Sequence, residues 1–188
     1  MLIPPVVPPG QMAASPQPVI VGDGIRLRPW APDDADVVLE AFEVPDIQHW
    51  HFRRLDSVEE AEGWIAATET GWRTEVQAHW AIVAAPGPDR PVGRIALRPE
   101  LAAGAGEISY WLLPSARGTG TATRATLALT AWAFAELGLH RLELNHSTQN
   151  PASCRVAERA GFAAEGTRRS AQLLADGWHD LHAHARIG

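Results

Sequence analysis

An α/β fold is what this chain predicts, and three observations carry the expectation. Short alternating or apolar runs that read as strands recur between segments of helical periodicity. A glycine-bearing stretch, Arg117 to Thr123, sits directly between the apolar run 110–113 and a helical pattern rich in Ala and Leu. With 188 residues, 46% hydrophobic and 20% charged, the chain is long enough for one domain with a real core and too short for two comfortable ones.

The elements follow in order. Residues 1–20 carry prolines at 4, 5, 8, 9, 16 and 18, which exclude a helix, so this stretch is expected to lie extended, loose or strapped along a domain formed by 21–188. Residues 25–28 alternate as a strand. Pro32-Asp33-Asp34 opens a helix with Val37, Val38, Ala41 and Phe42 on one face, and Ser57-Val58-Glu59-Glu60 is a capping box for a second helix carrying Ala61, Trp64, Ile65 and Thr68. Residues 79–84 and 92–97 read as antiparallel strands joined through the Pro/Gly stretch 86–91, and 107–113 makes a third. The helix after the glycine loop is expected to bury Leu127, Ala131, Phe134 and Ala135 and to stop at Gly138. Leu142 and Leu144 alternate with Glu143 and Asn145 in a strand. Asn150 then caps a short helix with Pro151 at its first position, Gly161 ends it, and Phe162 returns to strand. Residues 171–174 and 178–187 form a terminal hairpin across Asp176-Gly177.

Composition excludes several classes of function. The single cysteine, Cys154, rules out a disulfide framework within one chain and suits a reducing, cytoplasmic setting. No apolar stretch nears the roughly 20 residues that cross a bilayer, and the start lacks the order of a signal peptide, so no membrane partner is expected. A formal charge of −6 argues against binding a nucleic-acid backbone and favours a cationic or amine substrate.

The loop carries the chemistry. Gly118 and Gly120 place no Cβ in the way, so successive N–H groups can turn toward one point. The next helix adds its positive end and Arg117 a charge at the rim, a cradle suited to a pyrophosphate. It has no Gly-Lys-Ser/Thr ending, which excludes a Walker site, and the third glycine of a dinucleotide fingerprint is missing.

What remains, Arg-x-x-Gly-x-Ala over Arg117–Ala122, resembles the coenzyme A loop of the GNAT acyltransferase superfamily. The likeness continues through the strand Glu-Ile-Ser-Tyr-Trp-Leu-Leu before the loop, Asn150-Pro151-Ala152-Ser153, and Arg159-Ala160-Gly161-Phe162 with Glu165-Gly166. Ile25-Arg26-Leu27-Arg28-Pro29-Trp30 extends it to about residues 20–188, and the pattern is similar to the RimJ/RimL branch. Two positions depart from that branch: Thr121 stands where many members carry tyrosine, and Arg124 where they carry glutamate.

The resemblance implies a central, mostly antiparallel twisted sheet with one splayed strand pair, flanked by helices, and acetyl-CoA as co-substrate for transfer to a primary amine by direct attack. On that mapping the backbone of Trp111, Leu112 and Leu113 pairs with the pantetheine arm. Residues Arg117, Gly118, Thr119, Gly120, Thr121, Ala122 and Thr123 hold the pyrophosphate, and Asn150 bonds the arm near its thiol end, a role compatible with capping its helix. Glu107 takes the place of the general base and Ser153 that of the acid for the leaving sulfur; a solvated strand residue and a satisfied first helical turn are the plainer readings of these two. The acceptor side falls to His49, Trp50, His51 and Arg53, with Trp72 and Trp80 as further walls or as packing. The acceptor is a protein N-terminus or a small-molecule amine, and a homodimer is compatible with the family.

Cys154 is expected to turn toward the core with Ala157 and Ala160. His182 and His184 share a strand face without a third ligand nearby, so no metal is expected. Two alternatives stay open: another acyl donor such as succinyl-CoA, greeted by Arg53 and Arg54, and a coenzyme-binding module without turnover.

Overall fold

A computed structural model describes residues 3–51 and 54–188. Its centre is an eight-stranded sheet, β1 (Ile20–Gly22), β2 (Ile25–Pro29), β3 (Ala78–Ala84), β4 (Pro91–Glu100), β5 (Ala105–Leu112), β6 (Arg141–Ser147), β7 (Ala163–Leu174) and β8 (Gly177–Ile187). The spatial order is β1-β2-β3-β4-β5-β6-β8-β7. Neighbours run antiparallel except β5 and β6, which are parallel and joined by the crossover helix α4. The helices are α1 (Ala35–Glu43), α2 (Pro45–His49), α3 (Val58–Arg73), α4 (Thr121–Ala135) and α5 (Pro151–Arg159). The short strand β1 and the single-turn α2 add to the elements expected from periodicity.

Two cores form. One gathers Trp30, Val37, Val38, Ala41, Phe42, Ala61 and Ile65 with Trp111 and Leu113. The larger one takes Leu27, Trp80, Ile82, Ile95, Leu97, Ile108, Leu129, Leu142 and Leu144. The caps behave locally as their residues dictate. Ser57 Oγ accepts the Glu60 N–H at 3.2 Å, while the Glu60 carboxylate reaches back one residue further than a standard box, to the Asp56 N–H at 2.7 Å.

The expected buried face of α4 is wrong. Leu127, Ala131 and Ala135 are exposed and only Phe134 packs, half-buried, on the core; the helix instead buries Thr121, Ala122, Ala125, Thr126, Leu129, Thr130 and Ala133. Small side chains let the helix lie close to the sheet, so the packed stripe is the Ala/Thr one and the larger Leu127 is turned outward.

Residues 3–19 lie across the domain. Val7 and Met12 are buried in the larger core, and the Val6 and Val7 N–H groups bond Ala102 and Leu101 carbonyls at 3.1 Å each. Gly10 and Met12 N–H groups both donate to the Glu75 carboxylate at 2.6 Å. Trp72 and Trp80 donate their indole N–H to Ser15 and Pro18 carbonyls, each at 2.8 Å.

Candidate active site

The site is built around β5. One edge of this strand pairs with β4 along its length, from Ala105 opposite Glu100 to Leu112 opposite Gly93. Its other edge meets β6 only where Ala105–Glu107 face Arg141–Glu143. Beyond Glu107 the two strands part and β6 continues against β8, so a stretch of β5 edge is released from sheet pairing. Two of its expected backbone contacts are engaged within the protein. The Leu112 carbonyl accepts Arg117 Nε at 3.1 Å, keeping one lone pair, and the Leu113 N–H donates to Val92 O at 2.9 Å.

Two clefts open on this splay. The larger, of about 950 Å³, is bordered by Glu107, Arg94, His79, Asn145, His146 and Ser147 among others. The smaller, of about 360 Å³, is bordered by Leu112, residues Arg117, Gly118, Gly120, Thr121, Ala122 and Thr123, and by Arg155 and Arg159 of α5. Both clefts share Trp50, His51, Tyr110, Trp111, Asn150 and Ser153. These six residues mark where the two spaces meet.

The loop has the backbone its glycines suggested. Gly118 and Gly120 sit at φ +74° and +78°, a region that strains any residue with a Cβ, and Gly120 is the N-cap of α4. Among the described residues no side chain caps that end, which leaves the first-turn N–H groups of α4 for a ligand. Thr119 Oγ1 is tied to Ala116 O and to Thr121 Oγ1, both at 2.8 Å, and Arg124 Nη1 donates to Thr119 O at 2.9 Å, bracing the turn. Arg117 is not a free charge at the rim: its Nη1 pairs with Asp46 at 2.8 Å. Arg155 and Arg159, one turn apart on α5, are the cations that sequence reading missed at this cleft; their spacing of four placed them on one helical face.

At the junction, Asn150 Oδ1 accepts the Ser153 N–H at 3.1 Å, so the cap is real and the amide nitrogen of Asn150 remains a donor. Tyr110 Oη donates to Ser153 Oγ at 3.1 Å. Burial pushes the Tyr110 pKa up to about 12, with the serine contact opposing it, so the phenol stays protonated at neutral pH. Tyr110 was not singled out from sequence; its place three residues beyond Glu107 on the same strand was the only signal.

Glu107 is half-buried and borders the larger cleft. It is not a lone carboxylate: Arg98 pairs with one oxygen, and Asn145 Nδ2 donates to the other at 3.0 Å.

The expected acceptor residues separate. Trp50 and His51 border both clefts. His51 Nδ1 lies 2.8 Å from the Ile47 carbonyl, which can only accept, so Nδ1 carries the proton and Nε2 the lone pair. Burial holds the His51 pKa below its ordinary value, the carbonyl contact opposing this. His49 borders neither cleft; its Nε2 lies 3.7 Å from Asp176 and its ring packs on Trp50. Trp80 is no acceptor wall. It is fully buried, edge-on to Trp132 and Trp72, because β3 is an inner strand covered on both faces. Trp72 is core as well. Arg53 lies outside the described residues, and Arg54 is paired with Asp56 at 2.6 Å. On the floor of the larger cleft Arg94 is buried, its Nε donating to His79 Nδ1 at 2.8 Å, and burial pulls its pKa down to about 10.

Cys154 does not join Ala157 and Ala160 in the core. The first turn of α5 is open to solvent, and the thiol is half-exposed, 3.7 Å from Glu158 Oε1.

The sheet is mixed, with one parallel pair that parts beyond Glu107 and a glycine-capped helix at the opening. The family model of the acetyltransferase (GNAT) domain matches residues 25–163; the chain belongs to that family. Among curated proteins it is 39% identical over 82 residues to the ribosomal-protein-serine acetyltransferase of Escherichia coli (strain K12), spanning 43% of this chain and 45% of that protein. It is 29% identical over 170 residues to the probable N-acetyltransferase YjcK of Bacillus subtilis (strain 168), spanning 86% and 93%. In solved structures its fold is that of the ribosomal L7/L12 α-N-protein acetyltransferase RimL in complex with coenzyme A (TM-score 0.83, 21% identity, 90% and 98% of the two chains). A GNAT-family acetyltransferase from Bacillus anthracis gives TM-score 0.80 at 20% identity, over 90% of this chain and 98% of the other.

Proposed function

We propose that the protein transfers an acetyl group from acetyl-CoA to a primary amine, with a protein N-terminus as the leading acceptor. The observation that carries this reading is the meeting of two clefts at Tyr110, Asn150 and Ser153, beside the unpaired edge of β5. The smaller cleft suits the coenzyme: the α4 N-terminus with Arg155 and Arg159 receives phosphates, the β5 edge pairs with the pantetheine amides, and the Asn150 amide donates to the arm. The larger cleft receives the amine. The ribosomal-protein acetyltransferases among the relatives support the choice of acceptor class.

In the reaction the neutral amine attacks the thioester carbon, the oxyanion collapses, and the C–S bond breaks. Ser153 Oγ–H delivers a proton to the departing sulfur while Tyr110 Oη–H steadies the serine oxygen through the hydrogen bond it already donates, and solvent returns a proton to the serine as the base gives one up. Glu107 accepts the proton released by the ammonium, directly or through water. A second reading of the base rests on His51, which borders both clefts and holds its Nε2 lone pair in a neutral ring. The succinyl donor is less well supported, since Arg54 is paired with Asp56.

A cytoplasmic place, an N-terminal strap of about 20 residues laid on the acetyltransferase domain, and a homodimer complete the reading; among the described residues no helix is long and apolar enough to cross a membrane. The test is thiol release from acetyl-CoA with peptides bearing N-terminal Ser or Ala, a lysine peptide, a polyamine and an aminoglycoside. Acceptor-dependent release supports the proposal; coenzyme binding without release on any acceptor would leave the non-catalytic module in its place.

A further inference from the structure

His182 and His184 do not lack further ligands nearby, as the sequence suggested: His146 and Cys154 join them in a cluster beside the acyl site, of which His146 also borders the larger cleft. β6 and β8 are antiparallel with His146 opposite His182 and Leu144 opposite His184, which sets three imidazoles on the sheet face that α5 covers. Cys154, in the first turn of α5, brings a thiol over them. One ligand atom from each of His146, His182, His184 and Cys154 lies within 4.8 Å of all the others.

The details fit a cation. His146 Nδ1 lies 2.8 Å from the Ser147 carbonyl, so it carries the proton and leaves Nε2 as a lone-pair donor, the arrangement by which metal-bound histidines are oriented. That Nε2 lies 3.2 Å from His184 Nε2. Nitrogens bound to one tetrahedral zinc at about 2.0–2.1 Å stand about 3.3 Å apart, so this pair already spans an edge of the polyhedron. His184 is only 2% exposed, and its Nδ1 has no hydrogen-bond partner among the described residues. With Nε2 of His184 on the metal, that Nδ1 would carry the ring proton. The half-exposed His182 and Cys154 have room to close the remaining edges.

A second group, His49, Asp176 and His179, is also compact. There His179 Nε2–H donates to Asp176 Oδ1 and its Nδ1 accepts from Ser147 Oγ, at 2.8 Å each, and the group has three members, one fewer than a closed tetrahedral site takes.

We propose that His146, His182, His184 and Cys154 form a Zn²⁺ site that bolts α5, the helix carrying Ser153 and capped by Asn150, onto β6 and β8. Three imidazoles and a thiolate are the donors zinc takes in tetrahedral sites; on binding, the Cys154 thiol loses its proton to solvent as the S–Zn bond forms. The inference is independent of acetyl transfer.

The experiment uses the full chain, stripped with chelator and re-equilibrated with zinc, and reads metal content after gel filtration, competition with a chromophoric chelator, and the absorption spectrum of the Co²⁺ form. One equivalent of zinc, a higher Tm on adding it, and tetrahedral cobalt bands with a thiolate charge-transfer band are expected. Cys154→Ser should abolish the charge-transfer band, and both Cys154→Ser and His182→Asn should weaken zinc at least about 10-fold, since a direct ligand matters no less than the outer-shell groups whose loss costs that much. Both positions are half-exposed, and circular dichroism checks that the variants fold. Asp176→Asn should leave binding unchanged. No stoichiometric zinc on the wild type, unchanged affinity in both ligand variants, or loss of binding only in Asp176→Asn would each overturn the proposal.

Discussion

Tyr110 Oη lies 3.1 Å from Ser153 Oγ, linking the splayed strand β5 to the first turn of α5 across the junction of the two clefts. The phenol is the donor, so the serine proton is left free for another partner. Ser153→Ala should lower kcat by roughly 100-fold or more with little change in acetyl-CoA KM, and Tyr110→Phe should lower it less. Steady-state kinetics check this; an unchanged Ser153→Ala enzyme would reduce the serine to a turn-filling residue. With the tyrosine pKa near 12, no alkaline loss from this group is expected in the range where the assay is run.

Glu107→Gln and His51→Gln separate the two readings of the base. The variant that removes the base should lose roughly 100-fold in kcat/KM and the acidic limb of its pH profile, while the other stays within a few-fold of wild type.

Gly120→Ala tests the loop. A Cβ there would occupy a left-handed conformation and sit 3.3 Å from Arg124 Nη1. The expected cost is about 1–2 kcal/mol of stability, together with a raised KM for acetyl-CoA and a nearly unchanged kcat. Thermal unfolding and kinetics read the two effects separately.

His51 links stability to pH. Burial lowers its folded pKa below the unfolded 6.5, so the unfolded chain binds the extra proton first. Its contribution is therefore fully present above pH 6.5, falls as pH drops toward the folded pKa, and then levels off. The slope from one such group is at most about 1.4 kcal/mol per pH unit. Denaturant unfolding of wild type and His51→Gln across this window should show a shallower slope in the variant.

Met12→Ala should destabilise the fold by about 2–5 kcal/mol, because this side chain is 1% exposed in the larger core. A fully exposed tail would show no change in Tm.

Elements set by local chemistry were legible in the sequence: Ser57 and Asn150 cap helices, Gly138 follows one, and Gly118 and Gly120 adopt the turn their lack of Cβ permits. Contacts set by tertiary packing were not. Leu127 looked like a core residue by hydropathy, yet the small side chains of α4 face the sheet. Trp80 resembles an aromatic wall until β3 is seen to lie inside the sheet. Val7 and Met12 sit among prolines that forbid a helix but not a strap. His146, Cys154, His182 and His184 come from three elements: the β6–β8 register gathers the histidines and the packing of α5 adds the cysteine.

The central claim is that the opening between β5 and β6, with the α4 loop beside it, binds acetyl-CoA. Titration calorimetry of the pure protein with CoA and acetyl-CoA tests it most directly. One-to-one binding that is weakened in Gly120→Ala and in Arg155→Ala, Arg159→Ala is the predicted result. No heat with either ligand at millimolar concentration, or binding indifferent to all three changes, would contradict it.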